Sequence, residues 1–457
     1  MIASVNPATG ETLATFAPLT NVEVDARLAL AQQAAGEWRR TSVAERARVL
    51  RQAAKLLDDE QETHARLMTT EMGKLIRAAR EEVAKCALAL RYYAEHAASF
   101  TASDVVLDEP TQRGEVHYQP LGVVLAVMPW NFPYWQVMRF AAPALAAGNV
   151  GLLKHASNVP QCALALESLL ERAGAPRGAF QTLLIESSRV DALIADPRIA
   201  AVTLTGSEAA GRSVAAAAGR AIKKTVLELG GSDPFIVTAN ADVPAAARAA
   251  VTARTINNGQ SCIAAKRFFC VNAIADEFVG RFLEGMRALR PGDPTDENTT
   301  LGPLATKSIR EDLHAQVQLS VARGATCSLG GAPTQGPGFF YPATVLENVP
   351  NDSPAATDEL FGPVAAIFRV PDVDAAVSGA NASKFGLGAA VWSRDAEEAG
   401  RCALALDCGT VFVNGVVASD PRFPFGGVKA SGYGRELGPW GLREFVNIKT
   451  IRYQGTG

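Results

Sequence analysis

Short apolar runs alternate with helix-like segments in the first half of the chain. The runs lie at 121–128, 150–153, 180–184, 201–204 and 225–229. Continuous apolar strands separated by helices are typical of a parallel sheet that is covered on both faces. The pattern therefore predicts a doubly wound α/β unit, and ligands of such units bind beyond the carboxyl ends of the strands.

The pattern after residue 232 predicts a second α/β unit. Predicted helices near 242–258 and 274–290 accompany predicted strands near 268–271, 364–368 and 410–413. Before the first unit, residues 22–99 have the apolar spacing of helices. The chain is therefore expected to be an α/β protein with a helical layer at its start.

Two further segments predict strands that belong to neither unit. Residues 102–120 and 446–453 carry short runs of alternating apolar and polar positions. Because an exposed strand edge requires a partner, we predict that these segments lie between subunits of a homodimer or a dimer of dimers.

Composition narrows the class of protein. Hydrophobic residues make up 48% of the chain, charged residues 20%, and the formal net charge is −3. This balance supplies no basic surface for nucleic acid, and no segment has the ~18 consecutive apolar residues of a membrane span. The first residues lack the charged and apolar regions of a secretory signal, so the cytoplasm is the expected location. We expect small molecules and other copies of the chain as partners.

The chain's cysteines and histidines are scattered. Its seven cysteines include no CxxC pair, and its five histidines include no HExxH motif. Disulfide frameworks and structural or catalytic metal sites depend on such spacings. The sequence therefore predicts neither disulfides nor a bound metal.

One cysteine lies in a segment suited to nucleophilic chemistry. Cys262 is flanked by small and polar residues in the stretch 257–266, NNGQSCIAAK. A thiolate attacks a carbonyl well when a base or a lowered pKa activates it and when hydrogen-bond donors stabilise the oxyanion. The alternative is a buried packing cysteine, which is common in proteins of this kind.

Polar residues follow the predicted strands of the first unit. Asn131 follows the first strand, Lys154 the second, Gly206 and Ser207 the fourth, and Glu228 ends the fifth. The carboxyl ends of neighbouring parallel strands lie at one edge of a sheet, so these residues are expected to line one crevice. The turn at 206–211 opens a predicted helix and suits a pyrophosphate, although an ordinary αβ turn explains it equally.

Five segments together resemble the aldehyde dehydrogenase superfamily over essentially the whole chain. They are PWNFP at 129–133, LELGG at 227–231, GQSC at 259–262, ELFGP at 359–363 and PFGGVKASG at 424–432. The segments WQVMR at 135–139 and KHASN at 154–158 are similar to the short succinate-semialdehyde dehydrogenases. The resemblance implies a Rossmann-like cofactor domain, a catalytic domain and a β arm.

The resemblance gives the domain division and three catalytic roles. The expected domains are a dinucleotide-binding domain at 1–101 and 121–230, a catalytic domain at 231–430, and an oligomerisation arm at 102–120 and 431–457. Cys262 is the implied nucleophile, Asn131 an oxyanion donor and Glu228 the general base. These roles suit attack on an aldehyde, hydride transfer from the thiohemiacetal, and hydrolysis of the thioester.

The resemblance also implies a cofactor site. Its residues are Trp130, Asn131, Lys154, Ser157, Gly206, Ser207, Leu229, Glu359 and Phe361. Many NAD-preferring relatives carry a glutamate where this chain has Ser157. A carboxylate there repels a 2′-phosphate, whereas serine donates to it, so NADP is the expected cofactor, with NAD still able to bind.

The implied substrate is succinate semialdehyde, because Arg139, Ser419 and Trp135 match residues that hold the succinyl group in that branch. Arg139 comes eight residues after Asn131, and along a helix this corresponds to roughly 12 Å. An ion-paired or solvated helix charge is the alternative for Arg139. Other open alternatives are another aldehyde such as glutarate semialdehyde, a CoA-acylating relative, and a non-catalytic protein of the same fold.

Overall fold

The computed structural model describes residues 1–455. A short antiparallel hairpin and four helices open the chain: β1 (Ile2–Val5), β2 (Thr12–Phe16), α1 (Asn21–Trp38), α2 (Val43–Asp59), α3 (Gln61–Met72) and α4 (Ile76–Thr101). Thr20 and Glu23 begin α1 with a reciprocal capping box, in which each side chain bonds the backbone N–H of the other residue. This region confirms the predicted helical layer.

A second hairpin precedes the first parallel sheet. The elements are β3 (Asp104–Glu109), β4 (Gln112–Pro120), β5 (Val123–Met128), α5 (Trp135–Ala147), β6 (Val150–His155), α6 (Pro160–Arg172), β7 (Phe180–Thr182), α7 (Val190–Ala195), β8 (Ile199–Thr205), α8 (Glu208–Arg220) and β9 (Lys224–Glu228). The five strands β7-β6-β5-β8-β9 are parallel in that order. The chain winds outward in both directions from β5 and β8, so a crevice opens at the carboxyl ends of these two strands.

A second parallel sheet follows. Its region contains β10 (Asp233–Val237), α9 (Val243–Thr255), β11 (Ala265–Val271), α10 (Asn272–Arg287), α11 (Lys307–Ala322), β12 (Thr326–Leu329), β13 (Thr344–Glu347), α12 (Pro354–Thr357), β14 (Val364–Val370), α13 (Val373–Asn381), β15 (Phe385–Gly386), β16 (Gly388–Trp392), α14 (Ala396–Ala405) and β17 (Thr410–Val413). The strand order is β12-β13-β14-β11-β10-β16-β17, and only the β12 and β13 pair is antiparallel. Two wound parallel sheets confirm the predicted α/β fold class.

The end of the chain returns to the earlier elements. It contains β18 (Val428–Lys429), β19 (Gly432–Tyr433), α15 (Gly438–Arg443) and β20 (Val446–Gln454). β19 adds to β9 at the edge of the first sheet, and β20 pairs with β4 along its whole length. The predicted strand at 446–453 therefore finds a partner in its own chain, within a three-stranded sheet of order β20-β4-β3. The domain boundaries stay a prediction.

Each parallel sheet has its own apolar core. Helices α1, α5, α6, α7 and α8 pack on the first sheet, and α2, α3 and α4 form a further layer against α5 and α6. Helices α9 and α10 pack on one face of the second sheet. Between residues 1 and 455, no helix is long and apolar enough to cross a membrane.

Candidate active site

Two hydrogen bonds bring the loop after β5 to the loop that carries Cys262. Asn131 Nδ2 donates to the Gln260 carbonyl at 3.1 Å, and Asn257 Nδ2 donates to the Asn131 carbonyl at 2.6 Å. Asn131 is buried, and one of its two amide hydrogens is free of the Gln260 bond. The predicted oxyanion donor is thus fastened beside the predicted nucleophile.

The cysteine loop has an unusual backbone. Asn257 and Asn258 are both left-handed, with φ of 53° and 57°. Such a pair costs free energy that the surroundings must offset. Asn258 bonds the Gly73 carbonyl at 3.0 Å and accepts from the Gly302 N–H at 2.8 Å. Gly259 has φ of 78°, and a Cβ there would collide with the backbone of Gly362.

Lys266 holds the carbonyls around the nucleophile. Its ammonium donates to the Ser261 carbonyl at 2.8 Å and to the Cys262 carbonyl at 2.7 Å, and it lies 3.4 Å from Glu359 Oε1. Lys266 is fully buried in β11. This lysine therefore fixes the turn that presents the thiol.

Cys262 is a half-buried thiol whose pKa is influenced by two cations. Burial raises the pKa of Cys262 to about 12, and the charges of Arg139 and Lys266 act in the opposite direction. The side chain remains partly accessible from a cavity of about 260 Å³. At neutral pH the resting thiol is therefore protonated, and a base must take its proton before attack.

Glu228 has the properties of such a base. Burial, followed by the neighbouring Glu436 carboxylate, raises the pKa of Glu228 well above its ordinary value. Both carboxylate oxygens are buried without a hydrogen-bond partner in the described part of the chain. Gly231, three residues after Glu228, packs closely against the cysteine loop. A Cβ at this glycine would lie 2.7 Å from the Cys262 carbonyl oxygen. The strand end thus places a buried carboxylate near the cysteine loop.

Arg139 is neutralised within the protein. Its guanidinium pairs with Glu436, lies 3.4 Å from Thr205 Oγ1 and stacks 4.5 Å from the centre of the Phe425 ring. Both members of the pair are buried, at 2% and 4% side-chain exposure. The ion-paired alternative for Arg139 is therefore present in this structure, and its contact with a substrate carboxylate stays a prediction.

The interval from Asn131 to Arg139 is only partly helical, so the assumption behind the predicted distance was wrong. Helix α5 begins at Trp135, and Asn131 lies in the preceding loop. Pro133 explains the difference, because a proline disfavours helical geometry in the residue before it. Only the step from Trp135 to Arg139 follows the helical rise, roughly 6 Å.

The cavity that reaches Cys262 brings together eight of the predicted site residues. They are Trp130, Asn131, Gly206, Ser207, Leu229, Cys262, Glu359 and Phe361. The Trp130 and Phe361 rings meet edge to face at 5.6 Å. Ser207 begins α8 by accepting from the Ala210 N–H at 3.3 Å. The remaining predicted residues, Glu228, Lys154, Ser157, Arg139, Trp135 and Ser419, lie outside this cavity lining.

Lys154 and Glu359 have different surroundings. Lys154 is the penultimate residue of β6 and is buried, and its ammonium donates to Ser187 Oγ at 3.2 Å. Burial lowers the pKa of Lys154, and no carboxylate pairs with it in residues 1–455. Ser157, three residues later, is exposed. Glu359 instead accepts from the Gly231 N–H at 3.1 Å and lies against Lys266. A buried cation beside an exposed serine suits a phosphate-bearing cofactor.

Trp135 and Ser419 contact each other. Trp135 Nε1 donates to Ser419 Oγ at 3.1 Å, and the Lys85 ammonium donates to the same oxygen at 2.8 Å. These contacts join α5, the loop before β18, and α4. Lys85 had no role in the prediction from sequence.

The sequence analysis assigned no role to three charged residues of this region. Lys266 is a lysine inside a buried strand only four residues after Cys262, and that position was an available signal. The sequence around Glu436 and Lys85 gave no such signal, because these two residues contact partners that are distant in the chain.

The chain matches the model of the aldehyde dehydrogenase family over residues 1–451. It is 54% identical to a succinate-semialdehyde dehydrogenase [NADP(+)] 1 of Mycobacterium tuberculosis, covering 98% of this chain and 99% of the relative. It is also 54% identical to a succinate-semialdehyde dehydrogenase [NADP(+)] of Mycobacterium avium, covering 98% and 96%. Among solved structures, succinic semialdehyde dehydrogenase from Streptococcus pyogenes in complex with NADP+ is similar at a TM-score of 0.96 and 38% identity, covering 99% of both chains.

Proposed function

The chain belongs to the aldehyde dehydrogenase family, and on this premise we propose that it oxidises succinate semialdehyde to succinate with reduction of NADP+. The relatives at 54% identity carry that activity in their names. The observation that carries the proposal is that hydrogen bonds hold Asn131 against the loop of Cys262, at a cavity lined by seven of the nine predicted cofactor residues.

The chemistry begins at Cys262. A base takes the thiol proton, Sγ bonds the aldehyde carbon, and the carbonyl oxygen becomes an oxyanion. Asn131 Nδ2 and the Cys262 N–H are the proposed donors to that oxyanion. NADP+, when bound, supplies the hydride acceptor that converts the thiohemiacetal to a thioester.

Glu228 serves the proton steps. Burial and the neighbouring Glu436 carboxylate raise the pKa of Glu228, which makes its carboxylate a stronger base, and its two oxygens accept no hydrogen bond from residues 1–455 and are available to water. After Glu228 has released the thiol proton to solvent, its carboxylate takes a proton from water, which attacks the thioester carbon. The C–S bond breaks, Cys262 leaves as the thiolate, and succinate is released. The carboxylate thus makes hydrolysis the fate of the acyl group, and no CoA is required.

The cofactor proposal rests on the end of β6. Lys154 offers a desolvated cation to a phosphate or ribose, and Ser157 offers a hydroxyl without a repelling charge. The first turn of α8, beginning at Ser207, offers backbone N–H groups to the pyrophosphate. Trp130, Leu229, Glu359 and Phe361 complete the proposed site.

The test is oxidation without CoA. Purified enzyme with succinate semialdehyde should form succinate and reduce NADP+ faster than NAD+. Cys262→Ala should abolish the reaction and retain NADPH binding. The matched control Cys327→Ala, at an exposed cysteine on the edge strand β12, should remain active. Turnover of Cys262→Ala at the wild-type rate, or a requirement for CoA, would contradict the proposal.

We further propose a homodimer or a dimer of dimers formed through the β20-β4-β3 sheet. Both edge strands, β3 and β20, are unpaired on their outer sides in the described chain. Val106 and Ile448 are 73% and 63% exposed on these strands, and exposed apolar edges favour association. A stable, active monomer in sedimentation at micromolar concentration would exclude this assembly.

We propose the cytoplasm as the cellular location. All seven cysteines lie in the described part of the chain, and each is free. A reducing compartment keeps such thiols, including the nucleophile, intact. Cell fractionation tests this proposal.

A further inference from the structure

His155 is a buried histidine whose two ring nitrogens both contact the backbone of the first unit. It is the last residue of β6 and directly follows Lys154. Its Nε2 lies 2.9 Å from the Pro133 carbonyl oxygen. Its Nδ1 lies 3.0 Å from the Ala156 backbone nitrogen and 3.2 Å from the Met128 carbonyl oxygen. The ring therefore joins the end of β6 to the end of β5 and to the loop that follows β5.

The partners of the ring select one tautomer. A carbonyl oxygen can only accept a hydrogen bond, so Nε2 carries the proton and donates to Pro133. Nδ1 then accepts from the Ala156 N–H. Burial lowers the pKa of His155 to about 4, which keeps the ring neutral in the physiological range. Because both nitrogens are engaged inside the protein, the ring is suited to holding backbone groups rather than to exchanging protons.

The hydrogen bond to Pro133 fixes the end of the loop that carries Asn131. The carbonyls on either side of it, those of Phe132 and Tyr134, accept backbone N–H groups of α5 at 3.1 and 2.9 Å. The Pro133 carbonyl accepts instead from the side chain of His155. A residue of β6 thus supplies a donor where a helix ordinarily supplies its own N–H, and the loop is attached to the first sheet.

Asn131 is therefore held from two sides. Asn257 and the Gln260 carbonyl hold its backbone and its side chain against the cysteine loop, and His155 holds the same loop two residues later. An oxyanion donor is effective only when it is directed at the position where charge develops. A displacement of about 1 Å costs on the order of 100-fold in rate, so the hold on Pro133 bears directly on the reaction.

His155 also lies between two residues of the proposed cofactor site. Lys154 precedes it, Ser157 follows two positions later, and its ring accepts from the N–H of the residue between. Hydride transfer requires the reacting carbon and the cofactor to be held in one geometry. A single side chain thus links the strand end proposed for the cofactor to the loop proposed for the oxyanion.

We infer that His155 is a positioning residue, which holds Asn131 in place relative to Cys262 and to the cofactor strand β6. The inference rests on the proposed function, in which Asn131 donates to the oxyanion, and adds a residue that acts through Asn131. His155 lies outside the lining of the cavity that reaches Cys262. Its effect on the reaction is therefore indirect.

The test is a double-mutant cycle between His155 and Asn131, measured as kcat at saturating NADP+ and succinate semialdehyde. His155→Leu removes the hydrogen bonds of the ring, and we expect it to lower kcat roughly 10- to 100-fold. Asn131→Ala should lower kcat roughly 100- to 1000-fold. In the Asn131→Ala background, His155→Leu should cost less than about threefold, because the donor that it positions is already absent.

Two further variants isolate the hydrogen bond to Pro133. The amide nitrogen of glutamine lies about as far from Cβ as Nε2 does, so His155→Gln can donate to the same carbonyl and should keep kcat within about fivefold of wild type. The asparagine amide reaches only the position of Nδ1, so His155→Asn should lose kcat as His155→Leu does. This pair also decides the question if the leucine variant does not fold.

Two controls separate the expected loss from a general defect. The dissociation constant of NADPH, measured by fluorescence titration, should stay within about threefold of wild type in His155→Asn, because Lys154 and Ser157 remain. His96→Leu removes another histidine ring that bonds a carbonyl, that of Tyr92 at 2.9 Å, from the helical layer. It should leave kcat unchanged.

The outcomes distinguish the inference from the proposed function. Equal losses for His155→Leu in both backgrounds, or equal losses in His155→Gln and His155→Asn, overturn the inference because they indicate a structural role. A rise in the dissociation constant of NADPH as large as the loss in kcat also overturns it. Asn131→Ala at the wild-type kcat overturns both proposals. An enzyme that oxidises only a different aldehyde overturns the proposed substrate, and the cycle repeated with that aldehyde still decides the role of His155.

Discussion

The charges around Cys262 are neutralised within the protein, whereas two lysines at the predicted ligand contacts are not. Arg139 pairs with Glu436, and Lys266 lies against Glu359. Lys154 and Lys85, by contrast, each contact a serine hydroxyl and no carboxylate in the described chain. One pair of cations belongs to the reacting centre, and the other pair lies where a cofactor phosphate or a substrate carboxylate is proposed to bind.

The difference separates two uses of a buried positive charge. A cation paired inside the fold sets the position and the pKa of its neighbours, and its removal leaves a buried carboxylate without a partner. An unpaired cation is stabilised only when a ligand brings the anion, so its removal should affect binding more than folding. The two classes therefore predict different responses to substitution.

The largest expected effect follows from substitution of Arg139. Arg139→Met leaves Glu436 buried and unpaired beside Glu228, and we expect a loss of about 3–5 kcal/mol in the free energy of unfolding. Activity should fall with both succinate semialdehyde and butanal, since the raised pKa of Glu228 depends partly on Glu436. Urea unfolding and initial rates measure both effects.

A different result would restore the prediction made from sequence. If Arg139→Met retains wild-type stability and loses activity only with succinate semialdehyde, Arg139 itself binds the carboxylate. Lys85→Met then becomes the matched comparison, because it also exchanges a cation for a methionine in the same region.

The sequence predicted the parallel sheets well because their strands are continuous apolar runs. β5, β6, β8 and β9 lie where these runs occur, and the polar residues after them are identifiable from order alone. The strand at 446–453 was also predicted, but its partner was not. β4 lies more than 300 residues earlier in the chain, and local patterns carry no information about such pairings.

The sequence identified which residues belong to the candidate site, but it did not show which charged residues pair with each other. The resemblance identified Arg139 as a cation near the substrate, and only the fold shows that Glu436 faces it. Lys85 is a lysine in the middle of a long helix, where a solvated charge is the ordinary expectation. It contacts Ser419 and Trp135, which reach it from other elements.

An intermediate effect is expected at the cofactor side. Ser157→Glu places a carboxylate near Lys154, where it repels a 2′-phosphate and accepts from ribose hydroxyls. We expect KM for NADP to rise roughly 10- to 100-fold and KM for NAD to change little. Ser157→Ala is the matched control and should cost only a few-fold with NADP, since it removes one hydrogen bond. Equal losses for both cofactors would contradict the assignment of Ser157.

The smallest expected effect is a change of specificity with pH. Burial, followed by the charge of Arg139, lowers the pKa of Lys85 to about 8, while Cys86, Glu82 and Asp420 act in the opposite direction. Lys85 contacts the predicted substrate residues Ser419 and Trp135. Below pH 8 it carries its proton, and we expect it to attract the substrate carboxylate, which is ionised throughout. Above pH 8 the lysine becomes neutral, and the attraction is lost.

The ratio of kcat/KM for succinate semialdehyde to that for butanal isolates this titration. Ionisation of Cys262 and Glu228 affects both aldehydes and cancels in the ratio. We expect a constant ratio between pH 6.5 and 7.5 and a fall of roughly tenfold per pH unit well above 8. Lys85→Arg should keep the ratio constant through pH 9.5, because a guanidinium stays protonated there. A decline of equal steepness in Lys85→Arg would assign the titration to another group, and a constant ratio in wild type would show that the charge of Lys85 does not select the substrate.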